Sequence, residues 1–467
     1  MNYESTTNFI QTEFEKEVIP GLSEFIKIDN LSPFYDLEWN SNGKLEKAAQ
    51  HCLDWVNKQG IKGLKGEVIK DADKSPLLFI EVEANGSDKN FLLYGHFDKQ
   101  PHFSGWAEGL GPTTPVIRNG YLYGRGASDD GYAVFSAIAG IKAIQEQGQK
   151  HGRIVIIVEG SEESGSPHLM PYIENMKERI GKPDLLVCLD SGASDYETLW
   201  VTTSLRGNLI MDITVEVLQE GVHSGAGTGI APDSLMIMRN ILDRIEDSKT
   251  GIVNKAFSVE VPQNRVADIK KVADLKKEHI LEHVKFVEGV QPVSQDFSEI
   301  IRRNTWEPTL CVTGASGIPP HETAGNVLRP FTTFRVSMRL PPTLDANKAA
   351  SDLEAIIKQD PPFNAKITCV KRAPGNGWNN RELSDKLHKS LNNTSLKLWG
   401  KEYFNFGEGG SIPFIKLLAD SFPQCEILVI GVLGPDSNAH SCNESLNIAY
   451  CRHITSTLAH TIADYSL

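Results

Sequence analysis

Five short apolar runs constrain this chain more than anything else in it: Leu77 to Ile80, Phe91 to Tyr94, Ile154 to Val158, Leu185 to Leu189 and Ile427 to Val432. None alternates apolar with polar, so each reads as a strand buried on both faces. Helical stretches stand between them, notably Tyr132 to Gln145, where Val134, Ile138, Ile141 and Ile144 share one stripe. Strand alternating with helix implies an α/β fold, a mostly parallel central sheet flanked by helices. The first stretch of chain predicts covering helices: Phe9, Phe14, Val18, Leu22, Phe25 and Ile26 recur at helical spacing, and Leu45 to Val56 repeats the pattern.

The middle of the chain has a different period. Asn208 to Leu218 and Thr332 to Leu340 alternate apolar with polar, which suits a sheet with one wet face. Helical patterns follow each, Pro232 to Ile245 and Asp345 to Ile357, and a further strand is expected over Lys366 to Lys371. The expected organisation is therefore a catalytic part at 1–205 and 381–467, interrupted by a smaller α+β domain at 206–380. A length of 467 residues is ample for two cores.

Charge and cysteine usage narrow the function. Against 60 acidic residues stand 47 basic ones, and a net charge of −13 argues against nucleic acid as a partner. No apolar stretch approaches the roughly 20 residues of a membrane span, so no membrane partner is expected. Met1 to Lys16 carries Glu4, Glu13 and Glu15 and no apolar core flanked by basic residues, unlike a signal peptide. The seven cysteines are scattered, never in a CxxC pair, as expected of reduced thiols in a cytoplasmic protein. A metal would then rest on histidine and carboxylate.

Five polar clusters stand at the ends of these strands or at the start of the helix that follows. The first is Gly95-His96-Phe97-Asp98, in which His96 and Asp98 share one face of the strand, so that the carboxylate can orient an imidazole. Next comes Gly124 to Gly131 with the adjacent acids Asp129 and Asp130, then Glu159 to Ser166 with Glu162 and Glu163. Asp190 closes the fourth run, and Gly434 to Ser441 carries His440. Each alone has a dull explanation: a structural histidine, acids capping a helix, a turn residue. Together they occupy the place where open α/β sheets build their sites. Two histidines with three carboxylates are a set Zn²⁺ accepts, one carboxylate bridging two ions.

In motif order, nearly the whole chain resembles the di-zinc metallopeptidase family of acetylornithine deacetylase, glutamate carboxypeptidase and the carnosinases. The nearest look is to the carnosinase or cytosolic nonspecific dipeptidase branch. Further motifs that carry the resemblance are Leu205-Arg206-Gly207, His223-Ser224-Gly225, Ser337 to Pro341 and Glu408 to Pro413. The resemblance implies a zinc-peptidase-like catalytic domain with an inserted lid and dimerisation domain. It implies two Zn²⁺ per chain, with Mn²⁺ or Co²⁺ as substitutes: His96 and Asp190 on one, Glu163 and His440 on the other, Asp129 between them. Glu162 would be the general base, Asp98 the partner that orients a ligand, and His223 a stabiliser of the oxyanion across a homodimer interface. Arg339, Gly410, Ser411 and Asn326 would hold the substrate. The expected reaction is hydrolysis of a dipeptide or short peptide with a free carboxylate, by hydroxide that zinc makes available near pH 7. The alternative is an N-acyl amino-acid deacylase using the same site, and a third class is a binding protein that kept only the fold. The chain departs from the family where Gly131 and Tyr132 follow the paired acids, and where Gly407 stands in place of an arginine.

Overall fold

The structure, a computed structural model, describes residues 1–282, 284–372 and 374–467. Its chain divides into two compact units. The first comprises Met1–Thr202, Asn380–Asn405 and Leu417–Leu467, the second Thr203–Asn379 and Phe406–Lys416. Residues 406–416, which the sequence boundary left with the outer part, fold with the second unit. Two bonds show why: Arg206 N–H donates to the Gly410 carbonyl (3.1 Å) and the Ser411 hydroxyl to the Arg206 carbonyl (2.6 Å).

The first unit is built on a six-stranded sheet in the order Leu64–Ile69, Leu77–Val82, His151–Glu159, Gly86–His96, Leu185–Cys188, Glu426–Val429. The last four run parallel and the first two pair antiparallel. As the unbroken apolar runs require, the central strands are buried on both faces, Leu92, Leu93, Ile156 and Val187 each at most 1% exposed. Helices Tyr132–Glu146 and Ile448–Tyr465 pack together, with Ser136 Oγ 3.0 Å from Thr455 Oγ1. The run expected to reach Val432 leaves the ladder at Val429. Just beyond it Gly431 lies so close to the backbone of Ser191 that a Cβ would stand 2.1 Å from the Ser191 carbonyl oxygen.

In the second unit four antiparallel strands run in the order Thr309–Ser316, Phe331–Leu340, Gly207–Glu216, Lys366–Lys371. Burial along Gly207–Glu216 alternates strictly, so Leu209, Met211, Ile213 and Val215 face a core shared with Ile237, Ile241, Leu353 and Ile357. The helices that supply those residues begin at Ser234 and Ala346, capped by Asp233 (to Met236 N, 2.8 Å) and Asp345 (to Lys348 N, 2.6 Å).

The parallel sheet is sensitive to lost volume. Ile156→Ala is expected to destabilise the chain by about 2–5 kcal/mol, the lost burial plus the cavity it leaves. Urea unfolding followed by circular dichroism checks this through a lowered midpoint.

Candidate active site

His96 ends the strand Gly86–His96 and is fully buried. Its Nδ1 lies 3.0 Å from the Asp98 backbone carbonyl, which can only accept, so Nδ1 donates and Nε2 is the nitrogen left to face the carboxylates or a cation. That Nε2 faces Asp129 Oδ1 at 3.2 Å and Asp190 Oδ2 at 3.8 Å. The other oxygen of Asp129 lies 3.0 Å from His440 Nε2, which is 3.2 Å from Glu163 Oε2. Two triads result, His96–Asp129–Asp190 and Asp129–Glu163–His440, each with its ligand atoms within 4.8 Å of one another. Asp129 belongs to both.

The sheet explains this convergence. His96 and Asp190 follow adjacent parallel strands at their carboxyl ends, and Glu163 follows the neighbouring strand His151–Glu159. Gly95 lets the turn that carries the acids approach, since a Cβ there would meet Ala133 Cβ at 2.6 Å and Asp130 Oδ2 at 2.8 Å. Gly131 has the same kind of reason: a Cβ there would lie 2.3 Å from the Gly126 carbonyl oxygen. His440 stands in a loop at φ 57°, a left-handed conformation uncommon outside glycine, with 57% of its side chain exposed.

The donor set fits divalent cations. Asp129, Asp190, Glu162 and Glu163 gather around only two imidazoles, and Glu163 Oε1 is buried without a hydrogen-bond partner. Buried anionic oxygens in this number call for positive charge. The electrostatics of the metal-free chain agree. Burial would lower the pKa of His96, but hydrogen bonds with Asp129 and Asp98 win and raise it well above the usual imidazole value. Burial also opposes ionisation of Asp129, yet His440 and His96 hold it well below the usual carboxylate range. Burial, reinforced by Asp190 and Glu163, lifts Glu162 well above its ordinary value.

Two acids serve the loop instead of the cluster itself. Asp98 Oδ1 accepts from Glu162 N–H and Oδ2 from Glu163 N–H, both at 3.0 Å. Asp98 thus fixes the backbone of both glutamates, while its Oδ1 stays 3.4 Å from His96 Nδ1. Glu159, buried, accepts from Tyr94 Oη (2.6 Å), Ser166 Oγ (2.8 Å) and Ser161 Oγ (3.1 Å), bracketing the Glu162–Glu163 turn; burial pushes its pKa up to about 7. Sequence reasoning placed Glu159 at the head of the third cluster but gave it no role, because the adjacent pair Glu162 and Glu163 carried the signal there.

In the second unit, Arg339 Nη1 donates to Ser411 Oγ at 3.0 Å. Arg206 Nε donates to the Gly409 carbonyl (3.0 Å) and Nη1 to Thr309 Oγ1 (2.9 Å). Among the described residues neither guanidinium pairs with a carboxylate. Burial lowers the pKa of both, Arg206 to about 10 with Arg339 repelling it. A Cβ at Gly410 would meet nothing within 4 Å, whereas one at Gly407 would lie 2.6 Å from Ser204 Oγ. His223, exposed, pairs with Val327 in a two-residue ladder, and Ser224 N–H donates to the Asn326 carbonyl at 2.9 Å. The sequence candidates therefore fall into three groups: the seven acids and histidines of the first unit, Arg339 with Gly410 and Ser411, and His223 with Asn326.

A sheet whose carboxyl edge carries overlapping histidine–carboxylate triads defines a metal-dependent hydrolase. The sequence matches peptidase family M20/M25/M40 over residues 92–464, and the chain belongs to that family. It is 26% identical to a cysteinylglycine-S-conjugate dipeptidase of Corynebacterium striatum, over 99% of this chain and 98% of that one. Identity to the Cys-Gly metallodipeptidase DUG1 of Saccharomyces cerevisiae is also 26%, over 80% and 79% of the two chains. The crystal structure of human carnosine dipeptidase 1 superimposes with a TM-score of 0.79 at 20% identity, covering 99% of this chain and 98% of that one. The fold is thus that of the metallopeptidases, and this chain is one of them.

Cation binding has to displace the protons that His96 and His440 hold against their carboxylates. Uptake should release protons, and apparent affinity should fall as pH is lowered. Calorimetry in two buffers of different ionisation heat reads the release directly; equal heats in both would contradict it.

Proposed function

We propose that this chain hydrolyses the peptide bond of dipeptides with a free carboxylate, using two Zn²⁺ held by His96, Asp129 and Asp190 and by Asp129, Glu163 and His440. One observation carries the reading: Asp129 gives one oxygen to each triad, and the Glu162 carboxylate is within electrostatic reach of His96, Asp190 and Glu163. That the relatives named above are dipeptidases favours an aminoacyl over an acyl substrate, and so a dipeptidase over a deacylase. Mn²⁺ or Co²⁺ can replace Zn²⁺, because carboxylate-rich sites discriminate weakly.

Bound there, the cations supply Lewis acidity: they polarise the scissile carbonyl and bring the pKa of water to about 7. Glu162 takes the proton of the attacking water and returns it to the leaving amine. Asp98, through the N–H groups of Glu162 and Glu163, keeps both glutamates at their posts. The planar fork of Arg339 suits the two oxygens of a carboxylate, aided by Ser411, by the open space at Gly410 and by Asn326. We place the chain in the cytoplasm as a homodimer formed through the second unit as a lid, His223 of one copy steadying the oxyanion in the other. No helix among the described residues is long and apolar enough to cross a membrane.

The decisive experiment compares wild type and Glu162→Ala on dipeptides and on N-acetyl and N-succinyl amino acids, with metal content measured alongside. Dipeptide turnover should fall by about 10²–10⁴-fold or more with metal retained; cleavage of the acyl substrates alone would overturn the dipeptidase reading. Arg339→Ala should raise KM for a dipeptide far more than for its C-terminal amide. Sedimentation should show a dimer, and a fully active monomer would remove the role of His223.

A further inference from the structure

Nothing in the sequence marks Glu444, yet the turn that carries Asp129 is wound around it. The side chain is fully buried, and five donors converge on its carboxylate: Arg125 Nη1 (2.7 Å), Gly126 N (3.0 Å), Ser128 N (3.1 Å), Asp129 N (3.2 Å) and Ser128 Oγ (3.3 Å). Its backbone carbonyl accepts from Gly124 N–H at 3.0 Å, because the ladder that pairs Ser445 with Tyr123 sets the two segments side by side. Arg125, itself buried, uses its other nitrogen to donate to the Ser441 carbonyl at 2.6 Å, one residue past His440. Gly126 completes the arrangement at φ +82°, where a Cβ would meet Lys99 Cε at 2.5 Å.

The two segments joined in this way carry two of the three ligands of one triad. His96 and Asp190 follow paired strands, so the sheet fixes them without Glu444. Glu163 is fixed by Asp98 and Gln100. His440 alone stands on an irregular loop at positive φ, and its distance to Asp129 is set by what ties that loop to the 124–129 turn.

We infer that Glu444, with Arg125, is a positioning pair that sets His440 against Asp129 and so governs cation affinity chiefly at the Asp129–Glu163–His440 triad, where it holds two of the three ligands; in the His96–Asp129–Asp190 triad it holds Asp129 alone. This rests on the two-cation reading above. A carboxylate is needed because every group facing it is a donor; a glutamine of the same shape would present its own N–H₂ to an N–H or to the guanidinium.

The test is titration of the metal-free chain with zinc alone against a competing chelator, for wild type, Glu444→Gln and Arg125→Lys, with melting of each metal-free protein. Wild type should bind two ions. In Glu444→Gln one site should weaken by about 10–100-fold, the range typical when a partner orienting a ligand is removed, and the other, which keeps its two ligands at strand ends, by clearly less. Loaded with cobalt(II), the variant should show the residual absorption spectrum of His440→Ala. Arg125→Lys, which keeps a charge but cannot hold Glu444 and Ser441 together, should shift the same site in the same direction. Should Glu444→Gln fail to fold, Ser128→Ala removes a single donor and should give a smaller loss at the same site. Two sites as tight as in wild type would overturn the inference. So would both sites weakening to the same extent with a lowered melting temperature, which marks a merely structural role. A wild type that binds fewer than two ions would instead overturn the two-cation reading beneath it.

Discussion

A carboxylate withdrawn from water must be met by opposite charge or by donors, and Asp129, only 5% exposed, is met by an imidazole on each oxygen. This double engagement makes two triads out of one residue. It needs a strand end, a glycine-lined turn and an irregular loop to arrive at one point, and each has its own support. Strand pairing places His96; Gly95 and Gly131 let the turn approach; the short ladder at Ser445 draws the His440 loop alongside.

The parallel sheet was legible in the sequence because strands buried on both faces must be apolar throughout, and the inserted unit because a half-wet sheet must alternate. The same logic shows what stayed hidden. Ile448–Tyr465 is buried on nearly all sides, so it has no stripe to betray it. Leu64–Ile69 and Thr309–Ser316 are edge strands with mixed burial, and the second is interrupted between Val312 and Gly314. Ligand candidates could be found because histidine and paired acids at strand ends are rare enough for their coincidence to carry information. Glu159, Arg125 and Glu444 could not, because their function lies in holding neighbouring turns in place. Nothing local in the sequence separates such a residue from a solvated one.

Seven buried or half-buried acids of the first unit, identical in chemistry, take different tasks through their surroundings alone. Asp98, Glu159 and Glu444 have their oxygens filled by N–H and O–H donors from neighbouring turns, and so act as anchors. Asp129, Asp190 and Glu163 face imidazoles and one another, an arrangement that a cation relieves. Glu162 differs from both groups: Asp98 holds its backbone N–H, and among the described residues its carboxylate accepts from no donor, while burial raises its affinity for a proton. A group held by its main chain and free at its tip can receive a proton and give it back without breaking any bond that holds the site together. An anchor cannot, since protonating Asp98 would loosen both glutamates at once. The assignment of Glu162 as base in the proposed mechanism therefore follows less from its position beside the triads than from its being the acid whose titration leaves the rest in place.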